Sequence, residues 1–149
     1  MVNLREEVIN NVLKEFRERT GITSTSLFTE DGFLIAVEGA NSNKDEDFFQ
    51  SIAAICAGVI SLAENGVEIK KDRNFIRKII IQAGNQLDND GFMIILETVT
   101  NDILISVLFP IYLNLGVVLF ELNHVNYKLS EYFSILEQNE NLERLTSLL

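Results

Sequence analysis

The side chains that most often carry catalysis are scarce in this chain and stand apart from one another. Its 149 residues include 1 histidine, His124, and 1 cysteine, Cys56. Zinc's usual structural sites need four clustered cysteine and histidine ligands, which one residue of each type cannot supply. Ser51, Ser61 and Ser106 lie in periodic segments with no histidine predicted nearby, and the Gly-x-Ser-x-Gly pattern is missing. The sequence therefore predicts neither such a zinc site nor an activated nucleophile.

Carboxylates and glycines point to no enzymatic chemistry either. Glu30 and Asp31 fall in a predicted exposed turn, whereas an acid catalyst usually needs a carboxyl group in a desolvated site. The 8 glycines are scattered, and none leads into the Lys-Ser or Lys-Thr pair of a phosphate-binding loop. Cation sites built from carboxylates alone stay open. We predict a protein that is not an enzyme and that holds no cofactor.

The charge balance argues against polyanionic partners. With 22 acidic and 12 basic residues, the formal net charge is −10. A chain this acidic repels phosphate backbones and anionic membrane surfaces unless a local basic patch exists. One basic cluster is present, but Asp72 interrupts it and Glu68 flanks it; its members are Lys70, Lys71, Arg73, Arg77 and Lys78. We therefore expect no nucleic-acid partner.

Hydropathy predicts a cytoplasmic protein. The first residues carry no apolar signal core behind a basic segment, and no later stretch has the ~18 uninterrupted apolar residues that would cross a bilayer. We expect no membrane insertion. Cys56 lies inside an apolar run and should be a buried thiol rather than half of a disulfide.

The first half of the chain predicts a helix, a hairpin and a second helix. Apolar residues recur at helical spacing from Val8 to Phe16. Strand-like runs at 25–29 and 33–37 then flank the turn at 30–32, whose Asp-Gly pair suits the positive backbone angles of a tight hairpin. The second helix should run from about Lys44 to Asn65.

The second predicted helix carries apolar residues over about twice the arc that a helix resting on one sheet requires. One face consists of Phe48, Ile52, Ile55, Val59 and Leu62, and an adjacent face of Phe49, Ala53, Ala57 and Ile60. This helix should therefore be covered on two sides.

Three strands and a third helix complete the predicted fold. The strand-like runs lie at 75–83, 92–99 and 103–109, and their connections are too short for crossover helices, so consecutive strands should pair antiparallel. The last helix should begin near Asn114, with His124 on its wet face. The order helix-strand-strand-helix-strand-strand-strand-helix predicts an α+β fold in which helices sandwich a five-stranded antiparallel sheet. We expect one domain over residues 1–137 and a helical or flexible extension over 138–149.

The order of these elements and three local patterns resemble the Roadblock/dynein light-chain family over about Leu4 to Phe133. The first pattern is Ser-Leu-Phe-Thr-Glu-Asp-Gly-Phe-Leu-Ile-Ala at 26–36, which is similar to the opening hairpin of the family. The second is Asn-Leu-Gly at 114–116, between the last strand and the last helix. The third is the small-residue helix at 51–61. The resemblance implies the Roadblock fold, which is related to the longin fold.

The resemblance also implies dimers in which the central helix and the third strand of each subunit pair to make one continuous sheet. The face with Phe49, Ala53, Ala57 and Ile60 is where a partner helix would be expected, and Ile79 and Ile81 would lie on the paired strand. The partner would be a second copy or a related Roadblock chain. Alternatively, this helix face packs under the first helix or under the C-terminal tail.

Members of this family serve as binding platforms for other proteins. Some bind Ras-like small GTPases and assist their hydrolysis or localisation, and others are light chains of motor complexes. The resemblance therefore predicts a non-catalytic dimeric scaffold or regulator that binds a small Ras-like GTPase. The alternatives are a light chain of a motor complex and a small-ligand sensor of longin-, profilin- or PAS-like type. The sensor would require a pocket with convergent polar groups. An esterase- or nuclease-like enzyme is disfavoured by the missing chemistry.

Overall fold

The computed structural model describes residues 4–39, 46–68, 77–84 and 91–148 of the chain. Within these residues three helices and five strands follow the predicted order, and the predicted α+β class is confirmed. The elements are α1 (Leu4–Thr20), β1 (Ser24–Thr29), β2 (Leu34–Gly39), α2 (Glu46–Glu68), β3 (Lys78–Ala83), β4 (Phe92–Thr98), β5 (Ile103–Pro110) and α3 (Leu115–Ser147).

Parts of three predicted features lie outside the described residues. These are the predicted start of the second helix near Lys44, residues 75–76 of the third predicted strand, and Lys70, Lys71 and Arg73 of the basic cluster.

The strands form one antiparallel sheet in the order β2-β1-β5-β4-β3. The hairpin β1–β2 and the meander β3–β4–β5 join where β1 pairs with β5, from Ser24 opposite Leu108 to Thr29 opposite Ile103. Strands β2 and β3 are therefore the two edges of the sheet. At the β2 edge, a Cβ on Gly39 would lie 2.6 Å from the Cβ of Ser24, and the φ angle of Gly39 is +148°, so this position requires glycine.

Helices α1 and α3 cover one face of the sheet and build the larger core. Leu13 of α1 and Leu122 of α3 are fully buried against strand residues such as Ile95 and Ile105. Burial of apolar surface contributes about 25 cal/mol for each Å², and more buried side chains are described in this layer than in the one on the other face. An ion pair of 3.3 Å between Arg17 Nη1 and Glu38 Oε1 also links α1 to the edge strand β2.

Helix α2 covers the other face and builds a smaller core. Ala53, Cys56 and Ile60 pack there against Phe28 of β1 and Leu96 of β4. Where the bulky side chains of Phe28 and Leu96 rise from the sheet, the small side chains of Ala53 and Cys56 let α2 lie close to the strands.

Helix α3 starts at a capped N-terminus and continues beyond its buried portion. The Asn114 Oδ1 accepts a hydrogen bond of 3.2 Å from the backbone N–H of Val117, which satisfies a free donor of the first turn. Four residues, Val118, Leu122, Val125 and Leu129, face the core. From Glu137 to Leu148 every residue is exposed, although the helix runs unbroken to Ser147.

Candidate interaction surface

Helix α2 turns its predicted partner-facing residues towards the chain's own sheet. Phe49, Ala53, Ala57 and Ile60 are all 9 % exposed or less. This orientation is the reverse of the one expected from the sequence, because these four side chains form the inner face of the helix. The dimer interface itself stays a prediction, but side chains available to a partner must come from the rest of α2.

The available side chains lie on the flank of α2 that faces β3. Ile55 is 62 % exposed and Leu62 is 73 % exposed. Between them, Ile52 and Val59 are half-buried and pack in the same cluster as Ile79 of β3. The opposite flank lies on the β1–β2 turn, where Gln50 Nε2 donates a hydrogen bond of 3.0 Å to the Gly32 carbonyl oxygen.

The outer face of α2 carries no charge over four turns. The sequence from Gln50 to Ala63 holds no Asp, Glu, Lys or Arg. Ser51, Ala54 and Gly58 are exposed on this face, and a Cβ on Gly58 would meet no atom within 4 Å. Exposed helix faces are usually charged, so an uncharged face beside exposed Ile55 and Leu62 is typical of a surface that another chain covers.

Helices α1 and α3 do not cover this face, because both lie on the other side of the sheet. The predicted alternative, packing of α2 under the first helix or the C-terminal tail, is not found among the residues that the structure describes.

The edge strand β3 continues the same surface. Within the described ranges β3 pairs only with β4, from Lys78 opposite Glu97 to Ala83 opposite Phe92. Ile79 and Ile81 are half-buried on the α2 side of the sheet. An edge strand with a free row of backbone N–H and C=O groups is a template for pairing with another strand. We call the set Ile52, Ile55, Val59, Leu62, Ile79 and Ile81 the α2–β3 surface.

An apolar groove of about 500 Å³ extends from the α2–β3 surface towards the end of β5. Phe49 and Ile52 of α2 form one wall, and Ile94 and Leu108 belong to the other. None of its described lining residues is charged, and the serines among them, Ser24 and Ser106, are almost fully buried. The volume lies within the range of about 300–1,000 Å³ that is usual for small-molecule sites.

Ser106, a candidate nucleophile, has hydrogen-bond partners within the sheet and lies across the sheet from His124. The Ser106 Oγ lies 2.5 Å from the Ser26 Oγ, and the Ser106 carbonyl accepts a hydrogen bond of 2.8 Å from Thr25 Oγ1. His124 is exposed on α3, on the other side of the sheet, with its ring 4.8 Å from that of Phe120. The structure therefore does not bring Ser106 and His124 together.

Cys56 lies under α2 as a core thiol. Burial raises the pKa of the Cys56 thiol from an ordinary 9.0 to about 11. Because the thiolate is the reactive form, this environment makes the cysteine inert rather than nucleophilic. Within the described residues no group of three or more His, Cys, Asp or Glu could hold a metal ion. No helix in those ranges is both long and apolar enough to cross a bilayer.

A buried charge next to β3 was not predicted from the sequence. Glu97 of β4 is only 6 % exposed, faces the α1/α3 layer, and lies 3.1 Å from the Lys78 ammonium group of β3. A signal was present, since Glu97 is the single charged residue in the otherwise apolar strand run at 92–99. Such a residue in a buried strand requires partners.

Comparison with solved structures identifies the fold. Myxococcus xanthus MglB superposes with a TM-score of 0.77 at 18 % identity, covering 91 % of this chain and 95 % of that one. A Roadblock/LC7 domain from Streptomyces avermitilis gives 0.70 at 20 % identity, covering 84 % and 97 %. A structure described as MglB with a tetrameric arrangement gives 0.74 at 15 % identity, covering 88 % and 91 %. No protein-family model matches the sequence, and no curated protein matches it significantly.

Proposed function

Because the chain has the Roadblock/LC7 fold, we propose that it is a non-catalytic dimeric scaffold or regulator that binds a small Ras-like GTPase in the cytoplasm. The observation that carries this proposal is the α2–β3 surface, where an uncharged helix face and a free strand edge adjoin. The resemblance of the sequence to the Roadblock/dynein light-chain family supports the GTPase as partner.

The dimer would be built on a two-fold axis beside β3. Two copies of β3 would pair antiparallel and turn two five-stranded sheets into one continuous sheet. The α2 flank of each copy would then meet that of the other, with Ile55 and Leu62 as the main buried side chains. Gly58, where a Cβ would meet no atom within 4 Å, would allow the two helices to approach closely. A symmetric interface of this kind uses the same surface on both subunits.

The neighbouring structures support self-association as part of the proposal, since one of them is described as having a tetrameric arrangement. A heterodimer with a related Roadblock chain would use the same surface.

The GTPase would dock on the composite sheet and its flanking helices. The chain would contribute shape and charge to that surface. Because no phosphate-binding loop is present in its sequence, it would not itself be a GTPase. It would act on hydrolysis, if at all, by positioning groups that belong to the GTPase.

The test is affinity capture from the lysate of the source cell, with a non-hydrolysable GTP analogue or GDP added. We expect the immobilised chain to retain a small GTPase in one nucleotide state. Ile55→Glu places a charge in the α2–β3 surface and should reduce retention together with dimerisation. Tyr127→Glu changes an exposed aromatic residue on the other side of the sheet and is the control for dimerisation.

Retention that is equal with both nucleotides, or recovery of no GTPase at all, would contradict the proposal.

The apolar groove favours a second candidate function, a small-ligand sensor. Its volume suits a small apolar molecule, and Ser24 and Ser106 could orient one polar group of it. If the chain is a sensor, we expect it to be a monomer with a bound metabolite. Native mass spectrometry of the purified wild-type chain distinguishes the two functions, because a ligand-free dimer supports the scaffold and a liganded monomer supports the sensor.

A further inference from the structure

Glu97 joins three elements through its carboxylate. One oxygen, Oε1, lies 3.1 Å from Lys78 Nζ on the edge strand β3. The other, Oε2, accepts a hydrogen bond of 2.8 Å from Asn126 Nδ2 on α3. The same Asn126 amide donates a second bond of 3.0 Å to the Thr98 carbonyl oxygen. We call Lys78, Glu97 and Asn126 the polar bridge.

The polar bridge stands where the alternation of β4 places apolar side chains. Met93, Ile95 and Val99 on the same face of β4 all belong to the larger core. A buried carboxylate at this position costs free energy unless charge and hydrogen bonds compensate it, and Lys78 and Asn126 supply both. Filling the core does not require a carboxylate at this position, since an aliphatic residue would fill the same space without the desolvation cost.

The location of the polar bridge indicates that it positions the edge strand β3. Strand β3 has a neighbour on one side only within the described residues, so its place in the sheet depends on β4. Lys78 is the first residue of β3 and lies directly opposite Glu97 in the register. The next residue, Ile79, begins the part of β3 that belongs to the α2–β3 surface. The ion pair thus fixes the end of the edge strand at which that surface starts.

We propose that the polar bridge holds the edge strand β3 in the register and orientation needed to pair with a second chain, with Glu97 as the positioning residue and α3 as its anchor. This inference rests on the proposed dimer. It assigns to Asn126, which is on the opposite side of the sheet from α2, a role in partner binding.

The experiment is amide hydrogen exchange of the full chain, measured by mass spectrometry on peptides from each strand, together with the dimer dissociation constant. Lys78→Met and Asn126→Ala each remove one arm of the bridge. We expect each to accelerate exchange in residues 78–83 by about tenfold or more while the β1 amides keep their protection. The dissociation constant should rise by about tenfold in both variants.

Asn126→Ala is the decisive variant, because both hydrogen bonds of Asn126 end on β4. A loss of protection in β3 must therefore pass through β4, either through the Glu97 carboxylate or through Thr98, whose backbone N–H donates a hydrogen bond of 2.9 Å to the Arg77 carbonyl oxygen. Lys78→Met breaks only the Glu97 route and separates the two. The matched control is Glu38→Gln, which removes the ion pair between Arg17 and the other edge strand, β2. It should leave exchange in β3 and the dissociation constant unchanged.

Unchanged β3 exchange in Asn126→Ala would overturn the inference, and so would an equal acceleration in every strand, which would mean a general loss of stability. The experiment can refute the proposed dimer and the proposed role of the polar bridge independently. If the wild-type chain is a monomer, the dimer is wrong, whereas the exchange of β3 in the variants still decides whether the bridge positions the edge strand.

Discussion

At the scale of single residues, burial decides what the few reactive side chains can do. Cys56 was expected to be a core thiol, and the structure places it in the cluster beneath α2. Ser106 is paired with Ser26, and His124 is exposed on the far side of the sheet. Helical periodicity placed His124 on an exposed face, and the apolar run around Cys56 indicated its burial; both predictions agree with the structure.

The thiol of Cys56 should react slowly in the folded chain. Burial raises its pKa to about 11, so little thiolate is present at pH 8, and the helix also blocks access. We expect iodoacetamide to alkylate the native chain at least about a hundredfold more slowly than the chain unfolded in guanidinium. Alkylation at the same rate in both states would show that Cys56 is accessible.

The same pKa shift makes stability depend on alkaline pH. The folded chain retains the thiol proton up to a higher pH than the unfolded chain, whose ordinary value is 9.0. The contribution of Cys56 is therefore fully present below pH 9 and is lost as the pH rises towards about 11. Cys56→Ala removes this titration. The free energy of unfolding of the wild type should fall more steeply than that of the variant between these two pH values.

At the scale of elements, the sequence predicted which segments form helices and strands better than which way α2 faces. The helical periodicity of α2 defines two apolar faces, and each face has enough apolar residues to pack on a sheet. The choice depends on side chains that are distant in sequence, since Phe28 and Leu96 of the sheet pack against Ala53 and Ile60 of the helix. A single-sequence pattern contains no information about that fit.

The partners of Glu97 are a second feature that could not be predicted from the sequence pattern. A charged residue in an apolar strand signals that a partner is needed, but the partners lie on β3 and α3. Only the pairing of β3 with β4 and the placement of α3 over the sheet bring them together.

The end of α3 should contribute little to the stability of the domain. Residues 138–148 are exposed, so a chain that ends after Glu137 loses no core contact. We expect its free energy of unfolding to lie within about 0.5 kcal/mol of the full chain in urea titrations. Leu129→Ala, in the buried part of the same helix, should cost about 2–5 kcal/mol and is the matched control. A loss of more than about 1 kcal/mol on truncation would mean that the tail docks on the domain.

At the scale of the whole molecule, the exposed features of one chain complement those of a second copy. Within the described residues, β3 has no strand neighbour on its outer edge, and Ile79 of β3 packs in the same cluster as Ile52 and Val59 of α2, whereas α1 and α3 lie on the other side of the sheet. A net charge of −10 keeps separate molecules apart in solution, so an attractive contact must be apolar and local. The α2–β3 surface meets both conditions.

The measurement that tests this account most directly is sedimentation equilibrium of the wild-type chain beside Ile55→Glu and Tyr127→Glu. We expect twice the single-chain mass of 16.9 kDa for the wild type and for Tyr127→Glu, and the single-chain mass for Ile55→Glu with its circular dichroism spectrum unchanged. A wild type that sediments at 16.9 kDa at every concentration, or an Ile55→Glu variant that stays dimeric, would contradict the account.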